Sequence, residues 1–231
     1  VVDFVSVLGE DIFGEILEKE LQEQSFSFHK VSRPRSDLFL GLEKQDGELF
    51  GALADMQGIE DLGFSELPHE LLDQADALVL DCCLSEELLG QLCTHYGAKP
   101  IYVDGVSIDR VGRIRPFLEH VHLLKINRAE LISLTALDHI DQALEELLQQ
   151  GLGGILLSLG EEGLLYKDKN MERRAKKEAE DILSTLGAGD ALFSAFIASE
   201  LEEKPIDEIM EAALHRAHST LQTYDSWKGH S

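Results

Sequence analysis

The run His120-Val-His-Leu-Leu-Lys-Ile-Asn-Arg-Ala-Glu-Leu-Ile-Ser-Leu134 changes its period in the middle. Its first part, His120 to Lys125, has the length and apolar content of a strand. Asn127 then stands where a helix N-cap belongs, with Glu130 as a capping-box partner, and Arg128 to Leu134 reads as the helix. A strand that runs straight into a capped helix is half of a βαβ unit, and the same order recurs on both sides. Toward the C-terminus come a helix at Asp138 to Gln149, a strand at Gly154 to Leu159, and helices at Ala188 to Leu201 and Ile206 to Leu221. Toward the N-terminus, strands at Ala77 to Leu80 and Pro100 to Asp104 flank a helix around Ser85 to Tyr96. Val2 to Leu8 is strand-like, and Asp11 to Gln24 places Ile12, Phe13, Ile16, Leu17 and Leu21 on one helical face. The runs Asp37 to Glu43 and Leu49 to Asp55 meet through Gln45-Asp46-Gly47, a hairpin signal. This alternation predicts an α/β fold: a mainly parallel central sheet with helices on both faces, plus a small β lid near residues 37–55, in one domain across residues 1–231.

Composition restricts the function. With 20 Lys and Arg against 44 Asp and Glu, the net charge of the 231-residue chain is −24. Nucleic acid and anionic membrane surfaces need clustered cations, so neither is expected as a partner. The early apolar stretch Val1 to Leu8 is too short to span a bilayer and lacks a basic start. Cys82, Cys83 and Cys93 have no metal-ligand spacing and read as buried free thiols of a cytoplasmic protein. Nor do the histidines form a metal set, although His120 and His122 would share a face of their strand and His215 and His218 a side of their helix. Lys167 to Asp181, with Lys167, Lys169, Arg173, Arg174, Lys176 and Lys177 among acids, reads as a solvated excursion whose cations could approach a polyphosphate.

Chemistry concentrates in Asp181-Ile-Leu-Ser-Thr-Leu-Gly-Ala-Gly-Asp190, which leads into the apolar helix beyond it. Gly187 and Gly189 let the backbone turn and gather N–H groups at a helix N-terminus, a cradle for an anion that needs no Lys. Asp190 stands on the first turn of that helix, where a carboxylate can take a proton from an attacking hydroxyl. Read only as structure, the same residues are a glycine-rich loop with a helix-terminal charge.

Gly187-Ala188-Gly189-Asp190, preceded by Thr185, resembles the signature of the ribokinase-like (PfkB) carbohydrate and nucleoside kinases. Three further segments fall in the family's order: Gly9-Glu10-Asp11-Ile12-Phe13-Gly14, Asn127-Arg128-Ala129-Glu130 and Ser158-Leu159-Gly160-Glu161-Glu162-Gly163. The resemblance implies Asp190 as catalytic base and Gly187, Ala188 and Gly189 as anion hole. It implies Asn127, Ser158, Gly160 and Gly163 as ATP-binding residues, and Glu130 as the carboxylate that orders Mg²⁺ through water. ATP would be the co-substrate, and a sugar or nucleoside the acceptor. Gly51-Ala-Leu-Ala-Asp-Met56 and Val103-Asp-Gly-Val-Ser107 look most like the pseudouridine kinases. By the same analogy the lid pairs two subunits.

Departures from the pattern set further expectations. Ser184 stands where the family often has Asp, at a loop linked to a monovalent cation; Gly105 and Ile126 stand where Pro is usual. The family normally has a substrate-binding strand and a Gly-Gly pair ahead of the position where this chain opens, and runs on beyond Thr223. A catalytically silent, nucleotide-binding relative is the alternative. A dinucleotide-dependent dehydrogenase is disfavoured because no G-x-G-x-x-G joins a first strand to its helix.

Overall fold

The computed structural model describes residues 1–43, 49–176 and 187–222. Strand β1 (Asp3–Gly9) runs into α1 (Ile12–Gln22), and β2 (Ser27–Arg33) returns parallel to β1 as a separate two-stranded sheet. β3 (Leu38–Glu43) and β4 (Leu49–Asp55) form a second, antiparallel two-stranded sheet at the position expected for the lid, followed by short helices α2 (Gln57–Glu60) and α3 (His69–Gln74). The remaining strands, β5 (Leu78–Asp81), β6 (Ile101–Asp104), β7 (Leu123–Asn127), β8 (Gly154–Ser158), β9 (Leu164–Asp168) and β10 (Glu172–Ala175), lie in chain order across a six-stranded sheet. β5 to β8 are parallel; β9 and β10 add antiparallel. The sheet is therefore mixed, with the parallel part carried by its βαβ crossovers.

Alternate residues of these strands serve two cores. Ile101, Val103, Leu124, Ile126, Ile155 and Leu157 face α4 (Glu86–Tyr96), α5 (Arg128–Thr135) and α6 (Ile140–Gln149), which contribute Leu88, Leu131 and Leu144. Tyr102, Leu123, Leu156 and Tyr166 face α7 (Ala188–Leu201) and α8 (Ile206–Leu221), where Phe193, Phe196 and Met210 pack. Strands apolar at nearly every position are what a sheet covered on both faces requires.

Several expectations need correction. Val111–His120 is a 3₁₀ helix and β7 begins only at Leu123, so His120 and His122 do not share a strand face. Lys167 is not part of a solvated loop: it lies in β9, with its side chain 15% exposed and paired to Glu145 at 2.9 Å and Glu172 at 3.4 Å. Arg173 and Arg174 belong to β10, while residues 177–181 lie outside the described residues. β2 carries Ser, His, Lys and Arg at its surface positions, which masked its strand character. On α1 the apolar face forms as expected, but Ile12, Phe13, Ile16 and Leu17 are exposed and only Leu21 enters a core. The Asp46-Gly47 turn falls outside the described residues.

Candidate active site

The parallel strands put their chemistry at one edge. β5, β6 and β7 are in register so that Asp81, Asp104 and Lys125 align across their C-terminal ends, and beyond them Asn127 aligns with Ser158 of β8. Asp104 and Lys125 continue the faces begun by Tyr102 and Leu123, so both lie on the side covered by α7. The Lys125 ammonium donates to both oxygens of Asp104, at 3.0 and 2.8 Å, and the two residues are 9% and 8% exposed.

α7 places its N-terminus on this pair. Gly187, the N-cap, has φ +76°, a left-handed conformation that suits glycine. Gly189 lies so close to Lys125 that a Cβ there would meet Nζ at 2.8 Å and Cε at 3.3 Å. The first-turn N–H groups of a helix have no intrahelical partner, so those of residues 188–190 are available at the strand edge, with the positive end of the helix dipole behind them.

Asp190 follows on the same turn. The residue as a whole is exposed, yet its carboxyl is held above the ordinary carboxylate value: partial desolvation pushes it up, Lys125 pulls it down and Asp104 pushes it up again. Asp81 is also raised, chiefly by burial, despite accepting the Cys83 N–H at 2.7 Å; Asp104 and Asp190 add to the upward push. Desolvation first, and the neighbouring acid Asp104 after it, make the Asp190 carboxyl more basic than a free one and so better able to accept a proton.

Asn127 and Glu130 build the capping box read from the sequence. Asn127 Oδ1 accepts the Glu130 N–H and Glu130 Oε2 accepts the Asn127 N–H, both at 2.9 Å. Glu130 is 3% exposed, and burial raises its carboxyl above the usual range against the Asn127 hydrogen bond and the field of Lys125. Among the described residues no group of three or more His, Cys, Asp or Glu could hold a metal ion. Glu130 offers this end of the sheet a single carboxylate, a donor suited to an ion that keeps its waters.

At the end of β8 the Ser158 hydroxyl faces the Ile126 carbonyl at 3.4 Å, and Gly160–Glu162 form one 3₁₀ turn before β9. Gly163 has φ +97°, and a Cβ there would meet the Ala175 carbonyl at 2.3 Å, so the strand hairpin itself demands this glycine. Glu162 reaches across to Arg128 at 2.9 Å, tying this turn to the start of α5. Thus Asn127, Ser158, Gly160, Glu130 and the Gly187 to Asp190 turn gather at one end of the sheet. Ser184 and Thr185 lie outside the described residues.

The front turn is tightly built. Asp11 caps α1 through the Gly14 N–H at 2.9 Å and accepts the Ser36 hydroxyl at 2.6 Å and the Ser36 N–H at 2.7 Å. Those bonds, the Ser36 hydroxyl foremost, lower its carboxyl to about 2. Gly9 and Gly14 are fixed by contact: a Cβ on the first would meet the Ser36 nitrogen at 2.0 Å, and one on the second the Gly9 carbonyl oxygen at 1.9 Å.

Sequence reasoning missed Asp81, Asp104 and Lys125 as a group. The available signal was an acid closing each of the apolar runs Leu78-Val-Leu-Asp81 and Ile101-Tyr-Val-Asp104, and a Lys inside Leu123-Leu-Lys-Ile126. Of the three, Asp104 and Lys125 are buried, and charges buried in a doubly covered sheet need partners, which adjacent strands supply.

A strand edge crowned by a glycine-started helix is the ligand-binding end of an open α/β sheet. Residues 1–226 match the pfkB family carbohydrate kinase profile. The chain therefore belongs to the pfkB carbohydrate kinase family, whose members are phosphotransferases. It is 26% identical over 220 residues to the pseudouridine kinase of Escherichia coli K12, covering 90% of this chain and 70% of that protein. To an uncharacterized sugar kinase of the same organism it is 27% identical over 212 residues, covering 87% of this chain and 59% of the relative. The chain thus spans between about three-fifths and seven-tenths of the length of these two relatives. Its fold superposes on ribokinase from Thermotoga maritima with a TM-score of 0.85 at 18% identity, over 96% of this chain and 75% of that one. Among the described residues no helix is long and apolar enough to cross a membrane.

Proposed function

We propose that this protein transfers the γ-phosphoryl group of ATP to the hydroxymethyl group of a sugar or nucleoside, with pseudouridine the acceptor to test first. The observation that carries the reading is the place of the Asp190 carboxyl, on the first turn of α7 beside the Gly187 to Gly189 backbone, where that turn meets the Lys125 ammonium at the strand edge. In the step proposed, Asp190 takes the proton of the acceptor hydroxyl as its oxygen forms a bond to the γ-phosphorus. The bond from that phosphorus to the bridging oxygen breaks, and ADP leaves with the electron pair. The N–H groups at the helix start stabilise the charge on the transferred oxygens. Asn127, Ser158, Gly160 and Gly163 would line the nucleotide side, and an open groove between β10 and α8, bordered by Arg173, Arg174, Lys176 and His215 and also by the acids Asp207, Glu208 and Glu211, would receive the rest of it. Glu130 is the residue suited to hold Mg²⁺ through water; bound there with ATP, the ion would supply neutralising charge to the phosphates.

The pseudouridine assignment is supported by the 26% identical relative and by the Asp55-Met56 and Asp104 to Ser107 strings. A cytoplasmic setting is part of the reading, supported by free, buried Cys82, Cys83 and Cys93. So is a homodimer through the lid, where Leu38, Phe39, Leu40, Leu42 and Leu53 are exposed; sedimentation should give twice the monomer mass, and Leu40→Lys should halve it. The deciding assay presents ATP, Mg²⁺ and a panel including pseudouridine, cytidine and ribose. Asp190→Asn should lower the transfer rate by about 10²- to 10⁴-fold with nucleotide binding kept. Near wild-type transfer by that variant would overturn the reading. Nucleotide binding without turnover by the wild-type chain on every acceptor would point instead to a silent relative.

A further inference from the structure

Packing does not account for the Lys125–Asp104 pair. Each residue extends a face that is apolar one step earlier, at Leu123 and Tyr102, and apolar side chains would be at least as stable in that place. A buried ion pair here calls for a local electrostatic reason. The ammonium has three N–H groups, and Asp104 receives two contacts from it, at 3.0 and 2.8 Å. Its flank toward α7 is clear because residue 189 has no Cβ, so the charge sits directly beneath the helix turn that bears Asp190.

We propose that Lys125 is the positioning residue of Asp190: its ammonium, held under Gly189 by the Asp104 fork, keeps the Asp190 carboxyl in its proton-accepting form. The inference rests on the reading of Asp190 as the base and adds the group that makes it one. Among the described residues, the charges that face Asp190 come from three strands: Asp81 on β5, Asp104 on β6 and Lys125 on β7. Desolvation and Asp104 favour the protonated form of Asp190, and the Lys125 cation opposes both. Removing Lys125 should make Asp190 hold its proton to higher pH, while removing the charge of Asp104 should do the opposite. Opposite shifts from the two halves of one ion pair are the mark of an electrostatic role, since loss of packing alone moves neither in that pattern.

The test is a carboxyl ¹³C titration of the whole chain labelled at Asp, with the Asp190 signal assigned by its absence in Asp190→Asn. Compared with wild type, the Asp190 midpoint should rise in Lys125→Met, fall in Asp104→Asn and stay in place in Lys125→Arg. Should Lys125→Met fail to fold by circular dichroism, Asp104→Asn and Lys125→Arg carry the test. An unmoved midpoint in Asp104→Asn, or in a folded Lys125→Met, overturns the proposal. In turnover, the acid limb of kcat should move with the titration: Lys125→Met should be at least tenfold slower than wild type at pH 6 and recover toward alkaline pH, with KM for the acceptor unchanged. The titration needs no turnover, so failure of this inference is read separately from failure of the base assignment, which Asp190→Asn decides.

Discussion

At the scale of single residues, the two glycines before Asp190 do different work, and substitution should separate them. Gly187 is left-handed at φ +76°, so Gly187→Ala should cost about 1–2 kcal/mol in backbone strain. Gly189 has an ordinary helical backbone, but its missing Cβ makes room for the buried Lys125 ammonium. Gly189→Ala should therefore change the urea midpoint less than Gly187→Ala while lowering phosphoryl transfer at least tenfold, because the new methyl displaces a charge rather than straining the chain. Paired urea denaturation and turnover measurements check the ordering; a Gly189→Ala protein with unchanged turnover would contradict it. Asp11 shows a third kind of dependence. Its carboxyl is depressed to about 2 by Ser36 and Gly14, so its contribution is fully present above an unfolded value near 3.9 and disappears as pH falls toward 2. Asp11→Ala should accordingly lose stability at pH 7 relative to wild type, with the gap closing at pH 2 in parallel thermal melts.

At the scale of elements, helix starts were the most legible feature, because their signals are local. Asn127 and Glu130 form the reciprocal bonds their spacing announces, and Ser85 caps α4 by accepting the Leu88 N–H at 3.1 Å. α7 and α8 begin and end where their apolar periods do. Strands paired at the surface were harder: β2 and β10 carry consecutive polar residues, as a solvated loop does, and only their neighbours reveal them. The candidate site divides in the same way. Its glycine turns and caps are contiguous strings and were readable, whereas the Asp81, Asp104 and Lys125 row exists only through strand register, which no local window contains. The capping box also yields a measurable expectation. Asn127→Ala removes the cap of α5 and should cost about 1 kcal/mol in urea denaturation. If Asn127 also meets nucleotide, the same variant should weaken ATP binding, whereas Ser85→Ala, which removes the single side-chain cap bond of α4, should lose similar stability and leave ATP binding intact. Equal ATP affinity in both variants would restrict Asn127 to its structural role.

At the scale of the whole molecule, α7 is the strut that carries Asp190, and it is tied to the sheet at both ends. Its N-terminal turn rests over Lys125 through Gly189; one turn on, Phe193 meets Tyr102 at 6.5 Å, and Phe196 stacks on Tyr166 at 5.7 Å. At the far end Glu200 faces His122 at 3.3 Å, and His122 lies edge-on to Tyr102 at 5.1 Å. The hydrogen bond to Glu200 raises the His122 pKa above its ordinary value, outweighing the effect of its burial. The sign follows from linkage: a group whose folded value is raised contributes stability that is fully present below the unfolded value near 6.5 and is lost as pH rises through the folded one. With the His122 side chain 44% exposed, solvent screening keeps this contribution below about 1 kcal/mol. Wild type should therefore lose stability relative to His122→Gln between pH 6 and pH 9, the two curves converging at alkaline pH as the imidazole becomes neutral. Because the tie is at the opposite end of α7 from Asp190, the same substitution should lower the unfolding midpoint at pH 6 without displacing the Asp190 titration. A shifted Asp190 midpoint in His122→Gln would mean that α7 does not behave as a rigid strut and that its two ends are coupled.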